Sequence, residues 1–212
     1  MNKKKIVALD FDRTLFDTEH FKIALANSLK EHNISPKIWW QTYKSSIPKN
    51  LTKYQIYLPK KHAELIKKIT GVPEKKILDS FDQIIKKSSR FVFKDTKKAL
   101  SFLKKKNFKL YLVTFGNKKH QEEKIKHSRL KKYFNKIIFS EKPKAFIKFP
   151  KNIIIVDDNI EEIKNLYKKY KNQATLIWLN YKNKKTKIPK SIIQIKNLKS
   201  IIKQFSNETI KQ

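Results

Sequence analysis

Asp10 and Asp12 stand one residue apart at the end of a short apolar run, in Asp10-Phe11-Asp12-Arg13-Thr14. Two further apolar runs end in polar groups, Thr114-Phe115-Gly116-Asn117 and Asp157-Asp158-Asn159. Crowded carboxylates repel one another and require a cation. A ligand set made of oxygen alone suits a hard ion, Mg²⁺ above all, which keeps several waters and is completed by phosphate. Where the strand gives way to a loop, Asp10 and Asp12 can both reach one centre. One carboxylate can then attack phosphorus while the other handles the leaving-group proton. Thr114 offers a hydroxyl to a phosphoryl oxygen, and a lysine would neutralise its charge.

These groups are scattered along the chain, so the fold has to gather them. Lys5–Phe11 reads as a buried strand, and Phe21, Leu25 and Leu29 mark an amphipathic helix over Phe16–Leu29. Ser35-Pro36 looks like a helix start, followed by helices over His62–Ile69 and Glu74–Lys86, with Pro73 suited to the first turn of the second. Beyond Phe93, with Asp95 as a helix cap, strands and helices alternate. Strands are expected over Lys109–Thr114, Lys136–Ser140, Asn152–Val156 and Ala174–Leu179, with a short edge strand over Ser191–Ile195. Helices are expected over Lys118–Phe134, Ile160–Tyr170 and Leu198–Phe205. Apolar strands alternating with helices predict a parallel sheet covered on both faces, and ligands bind beyond the carboxyl ends of such strands. The three polar termini are therefore expected to converge.

Composition narrows the chemistry. Two glycines, Gly71 and Gly116, leave too few for a Walker A loop or a G-x-G-x-x-G fingerprint. The absence of cysteine excludes disulfides, a thiolate nucleophile and a cysteine zinc site. The formal charge of +33 suggests an anionic partner. Yet only Arg13, Arg90 and Arg129 are arginines, the phosphate-gripping type, and the lysines spread over the whole chain. Lys, Ile, Asn, Phe and Tyr share A/T-rich codons, so much of the excess reads as codon bias. No apolar run approaches a membrane span and the N-terminus lacks a signal peptide, so a soluble cytoplasmic protein with no membrane partner is expected.

The motifs match a family. DFDRTLFDT resembles the first motif, D-x-D-x-T, of the haloacid dehalogenase-like (HAD) hydrolases. LVTFGN resembles the second, EKPK the lysine-bearing third and IIIVDDNIEE the acidic fourth. The resemblance spans essentially the whole chain in order. It implies an α/β fold: a Rossmann-like parallel sheet core, residues 1–16 and 94–212, with an all-helical cap inserted over residues 17–93. It implies a phosphatase, since the family's dehalogenases lack the second aspartate. Asp10 would be the nucleophile, forming an aspartyl phosphate, and Asp12 the acid and base. Thr114 and Lys142 would hold the phosphoryl group; Lys142 fits the lysine–proline form, and Lys144 stands two residues on. Mg²⁺ would bind Asp10, the backbone carbonyl of Asp12, and Asp158. Asp157, Thr14 and Asn117 are candidates for support, and Glu162 matches a downstream acid that either supports the metal shell or lies on a solvated face. Arg13 replaces the usual glycine and would touch a substrate phosphate or point to solvent.

Other polar residues read as structural. The histidines show no metal-ligand spacing and are expected on the surface, with only His20 near the cap hinge. Trp39, Trp40, Tyr43, Tyr54 and Tyr57 are expected to pack the helical insert, or to line a substrate pocket. The leading expectation is hydrolysis of a small phosphorylated metabolite. The alternatives are a phosphatase of nucleotides or nucleic-acid ends, and a polyanion-binding protein on the same fold. An open basic groove beside the site would favour nucleic acid, and a closed cap would favour a metabolite.

Overall fold

The computed structural model describes residues 5–47 and 56–206. Six strands form one sheet: β1 (Ile6–Leu9), β2 (Lys109–Phe115), β3 (Lys136–Ser140), β4 (Ile153–Asp157), β5 (Ala174–Leu179) and β6 (Ile193–Ile195). Their order is β3-β2-β1-β4-β5-β6, and every pairing is parallel. Chain order reverses between β1 and β4, which opens a crevice at their carboxyl ends. Both strands are apolar along their length, as strands covered on two faces must be. Val7 and Leu9 face one layer, built on α5 (Thr96–Lys105), α6 (Lys118–Ser128) and α8 (Lys199–Ser206). Ala8 faces the other, with Ile163 and Leu166 of α7 (Ile160–Tyr170). The fold is thus the expected Rossmann-like α/β arrangement.

Between β1 and α5 the described residues form four α-helices, α1 (Thr18–Ser28), α2 (Pro36–Ser46), α3 (Pro59–Thr70) and α4 (Glu74–Lys86). Proline opens α2 and α3, where its missing N–H costs nothing, and the Ser35 side chain accepts from the Lys37 N–H. Phe21, Leu25, Trp39, Ile66, Ile77 and Phe81 pack these helices together, continuous with Phe11, Leu15 and Phe16. The helices join the sheet through two short crossing segments. The Asp17 N–H donates to the Phe91 carbonyl at 2.6 Å, and the Phe93 N–H donates to the Leu15 carbonyl at 3.1 Å.

Some local expectations need correcting. Asp95 sits at the start of α5 but its side chain makes no cap bond, because its own backbone is helical. The helix expected over Lys118–Phe134 stops at Ser128, since Arg129 adopts the left-handed conformation (φ 61°). Arg13 is also left-handed, at φ 61°, in the tight turn where its N–H donates to the Phe16 carbonyl at 2.7 Å. That conformation costs a residue with a side chain roughly 1–2 kcal/mol. No helix among the described residues is long and apolar enough to cross a membrane.

Candidate active site

The reversal of strand order puts Asp10, just past β1, beside Asp157 and Asp158 at the end of β4. The Asp10 N–H donates to the Val156 carbonyl at 3.0 Å, which ties the two strand ends together. One carboxylate oxygen from each of Asp10, Asp157 and Asp158 lies within 4.8 Å of the others. Burial pushes Asp10 up to about 8; Asp157 and Asp158 add to the rise and Lys144 opposes it. Burial likewise pushes Asp158 up to about 7 against the pull of Arg13. Burial is the main cause of both shifts, and the neighbouring carboxylates add to it.

The lysine at the centre is Lys144, not Lys142. The Lys144 Nζ lies 2.5 Å from Asp10 Oδ1 and 2.5 Å from Asp157 Oδ2, and the side chain is 4% exposed. Burial opposes its charge, but the two carboxylates outweigh that and hold it firmly protonated. Lys142 is exposed and its backbone makes a tight turn with the Ser140 hydroxyl. Pro143 then turns the chain inward, and the Lys144 N–H is caught by Glu162 Oε2 at 3.0 Å. Glu162 is 3% exposed, so the solvated-face alternative is excluded. Its carboxylate fixes the loop that delivers the lysine.

Asp12 is held by three groups that sequence reasoning did not single out. Lys124 Nζ lies 2.5 Å from Asp12 Oδ1, Thr18 Oγ1 donates to the same oxygen at 2.6 Å, and Gln121 Nε2 donates to Asp12 Oδ2 at 2.6 Å. Burial pushes Asp12 up, but Lys124 and these hydrogen bonds prevail and hold it well below the usual carboxylate range. The Lys124 ammonium also lies 5.0–5.5 Å from the ring centroids of Phe11, Phe16 and Phe21, which replaces part of its lost hydration. Gly116 makes this arrangement possible. Its φ is +132°, and a Cβ there would sit 3.3 Å from Gln121 Nε2. A signal for Lys124 and Gln121 existed: α6 has almost no apolar stripe, so a helix packed at that place must bury polar side chains.

The remaining candidates divide. Thr114 ends buried at the tip of β2, and its hydroxyl has no hydrogen-bond partner among the described residues. Thr14 is in the same condition. Asn117 caps α6, its side chain accepting from the His120 N–H at 3.0 Å, and also borders the site. His20 is exposed and pairs with Asp17 at 2.6 Å. Two histidines depart from the expected surface position. His62 is fully buried among Thr42, Tyr57 and the Trp39 carbonyl, and burial lowers it to about 4. Burial, with Lys124 adding, lowers His120 to about 3. Both are neutral imidazoles at neutral pH.

A cavity of about 220 Å³ opens over these groups. Its floor carries Asp10, Asp12, Lys144, Asp157 and Asp158. Its roof comes from the helical segment: Phe21, Lys22, Leu25, Trp39, Tyr43 and Tyr57. Trp39 and Tyr43 stack at 4.9 Å, and Lys22 Nζ sits 5.5 Å from the Tyr43 ring. Of the other aromatics, Trp40 is partly exposed on α2, and Tyr54 lies outside the described residues.

Comparison with known proteins bears on the fold and the family. No curated protein matches the sequence. Among similar solved structures is YfnB from Bacillus subtilis, bound to magnesium: 18% identity and a TM-score of 0.66, covering 97% of this chain and 100% of that one. A HAD phosphatase from Thermococcus onnurineus is 19% identical with a TM-score of 0.62, covering 95% and 97%. The L-2-haloacid dehalogenase of Xanthobacter autotrophicus, with chloropropionic acid covalently bound, is 13% identical with a TM-score of 0.66, covering 97% and 100%. At such identities the likeness concerns the fold alone. The haloacid dehalogenase-like hydrolase family model matches residues 4–164, from the strand before Asp10 to beyond Asp158. The chain belongs to the haloacid dehalogenase-like hydrolases.

Proposed function

We propose that the chain is a Mg²⁺-dependent phosphatase that hydrolyses a small phosphorylated metabolite through an aspartyl phosphate on Asp10. The observation that carries this reading is the convergence of two carboxylates of opposite character on one small cavity. Asp10 sits beside Lys144 and the acidic cluster, and Asp12 is held separately by Lys124, Thr18 and Gln121. Hydrolysis of a phosphomonoester needs both a nucleophile and a group to manage the leaving oxygen's proton.

The donor set of Asp10, Asp157 and Asp158 fits a hard divalent cation, and its crowding calls for one. Asp10 and Asp158, with the backbone carbonyl of Asp12, would hold it, while Lys144 pairs with one oxygen of Asp10 and one of Asp157. When bound, Mg²⁺ supplies charge that lets an anionic carboxylate approach an anionic phosphoryl group. An Asp10 oxygen attacks phosphorus in line with the ester oxygen, while Lys144 and the Thr114 hydroxyl hold the equatorial oxygens. The ester oxygen departs with a proton from Asp12. Water then attacks the aspartyl phosphate, Asp12 takes its proton, and inorganic phosphate leaves. Asp12 is ionised in the free protein. The first proton therefore arrives with the substrate, whose phosphate has a second ionisation near about 6.

The helical segment, residues 17–93, acts as the cap in this reading. It roofs the cavity with aromatic side chains and leaves room for a phosphoryl group and a few carbons. Pockets for drug-sized ligands run roughly 300–1,000 Å³, so 220 Å³ selects a small substrate. The aromatic roof over the carboxylates favours a metabolite over a nucleic-acid strand. Phosphate release from a panel of phosphorylated metabolites and of 5′- and 3′-phosphorylated oligonucleotides, at two salt concentrations, tests this. Small esters are expected to be cleaved with little salt dependence. Cleavage confined to oligonucleotides, or untouched by EDTA, overturns the reading.

The crowded carboxylates give a further expectation. In the metal-free protein Asp10 and Asp158 hold protons at pH values where the unfolded chain, with carboxylates near 3.8, has released them. The native state then binds more protons, so these groups cost stability as pH rises from about 4 toward 8. A divalent cation relieves that cost. Mg²⁺ should therefore raise the melting temperature more at pH about 8 than at pH about 5. Equal shifts at the two values would count against a metal at these carboxylates.

A further inference from the structure

Three hollows meet at Arg13. It borders the catalytic cavity, a groove of about 640 Å³ that includes Arg90, Lys94 and Lys196, and a hollow of about 260 Å³ lined by Asn180, Tyr181, Lys182 and Lys184. Its backbone lies in the left-handed region, where glycine would fit without strain. The turn itself therefore does not account for an arginine. Arg129 and Lys171 are left-handed as well, so the backbone alone does not show that the side chain has work to do.

The position of the guanidinium points to a role. Arg13 Nε lies 3.2 Å from Asp158 Oδ2, Nη1 lies 4.0 Å from Glu19 Oε1, and the side chain is 42% exposed. Asp158 is also one of the carboxylates grouped to hold a cation. The guanidinium and a divalent ion cannot share it without repelling each other. Once the ion is bound, Arg13 loses its nearer partner and keeps only Glu19 at 4.0 Å, and its long, half-exposed side chain can turn into the neighbouring hollow. There Lys182 and Lys184 add positive charge, and Asp158 is the only acidic residue among the described lining. An excess of cations beside a phosphoryl site suits a second anion, and the planar guanidinium fork matches a carboxylate or a phosphate.

We propose that Arg13 is a specificity-determining residue that binds a second anionic group, a carboxylate or phosphate, on the phosphorylated substrate after a divalent cation has displaced it from Asp158. This rests on the phosphatase reading for the first phosphoryl group.

Two measurements test it, with Arg13→Gly, which suits the backbone at this position, and Arg13→Lys. Calorimetric titration with Mg²⁺ alone should show several-fold tighter binding to Arg13→Gly than to the unaltered protein, because Asp158 has lost its competitor. Equal or weaker binding overturns the displacement. In kinetics, 3-phosphoglycerate and glycerol 3-phosphate differ by one carboxylate. The unaltered protein should favour the former in kcat/KM by about tenfold or more, the size of one charge-assisted hydrogen bond. In Arg13→Gly that ratio should fall toward one, chiefly through KM, and Arg13→Lys should keep part of it. A ratio near one in the unaltered protein, or the same ratio in the variant, overturns the specificity role. If the unaltered protein cleaves no phosphomonoester at all, the phosphatase reading fails, and the Mg²⁺ titration still decides whether Arg13 competes for Asp158.

Discussion

Asp10→Asn is expected to abolish phosphate release from para-nitrophenyl phosphate, by on the order of a thousandfold or more, without unfolding the protein. The two side chains have the same shape, and the amide oxygen can still accept from Lys144, which lies 2.5 Å from Asp10 Oδ1. Only the nucleophile is lost. Stability should hold or rise, because burial and two neighbouring carboxylates already disfavour the charge on Asp10. In the metal-free protein the substitution removes a strained ionisation rather than a supporting one. A functional group that destabilises its own site is the expected trade where catalysis needs crowded charge. Parallel assays of phosphate release and thermal melting check both halves. Full activity in Asp10→Asn would rule out the aspartyl phosphate.

The second large effect concerns the lysine. Lys144→Met should lower kcat by about a hundred- to a thousandfold, the usual cost of removing one donor from a developing oxyanion. Stability should suffer too. Removing one partner of a buried ion pair costs roughly 3–5 kcal/mol when the other charge stays uncompensated, and Lys144 serves both Asp10 and Asp157. Mg²⁺ should recover part of that loss by supplying charge to the same carboxylates. Lys142→Ala is the internal control. Its side chain is exposed, and surface substitutions usually stay within about 0.5 kcal/mol. Steady-state kinetics and melting of the two variants side by side distinguish them. A larger loss of activity in Lys142→Ala than in Lys144→Met would reverse the assignment.

The confusion between these lysines shows where the sequence stops being legible. Asp10, Thr114, Asp157 and Asp158 are readable because each ends an apolar strand, and parallel strands bring their carboxyl ends to one edge. The parallel sheet follows from the alternation of strands and helices, but the order of its strands, with the reversal between β1 and β4, does not. Lys142 and Lys144 both follow the third strand, and local pattern favours the one before Pro143. Which one turns inward depends on Glu162, eighteen residues along the chain on α7, catching the Lys144 N–H. No short-range signal carries that contact. Lys124 and Gln121 were harder still. They lie on a helix whose composition reads as solvated, and only the packing of α6 against Phe11, Phe16 and Gly116 turns them inward. His62 is a similar case: it stands on the apolar face of α3 beside Ala63 and Ile66, where its two ring nitrogens are satisfied by Tyr57 and Thr42.

The charge of +33 has a smaller part than its size suggests. In the proposed mechanism two lysines, Lys144 and Lys124, serve the site, each buried against a carboxylate. Arg13, one of only three arginines, borders the catalytic cavity where a glycine would fit more easily.

The central claim is covalent catalysis by Asp10, and the mass of the chain, quenched in acid during turnover of para-nitrophenyl phosphate, tests it most directly. A gain of one phosphoryl group on the peptide that carries Asp10 is expected, lost without Mg²⁺ and lost in Asp10→Asn. Turnover with Asp10 unmodified throughout, or with the phosphoryl group on another residue, would contradict it.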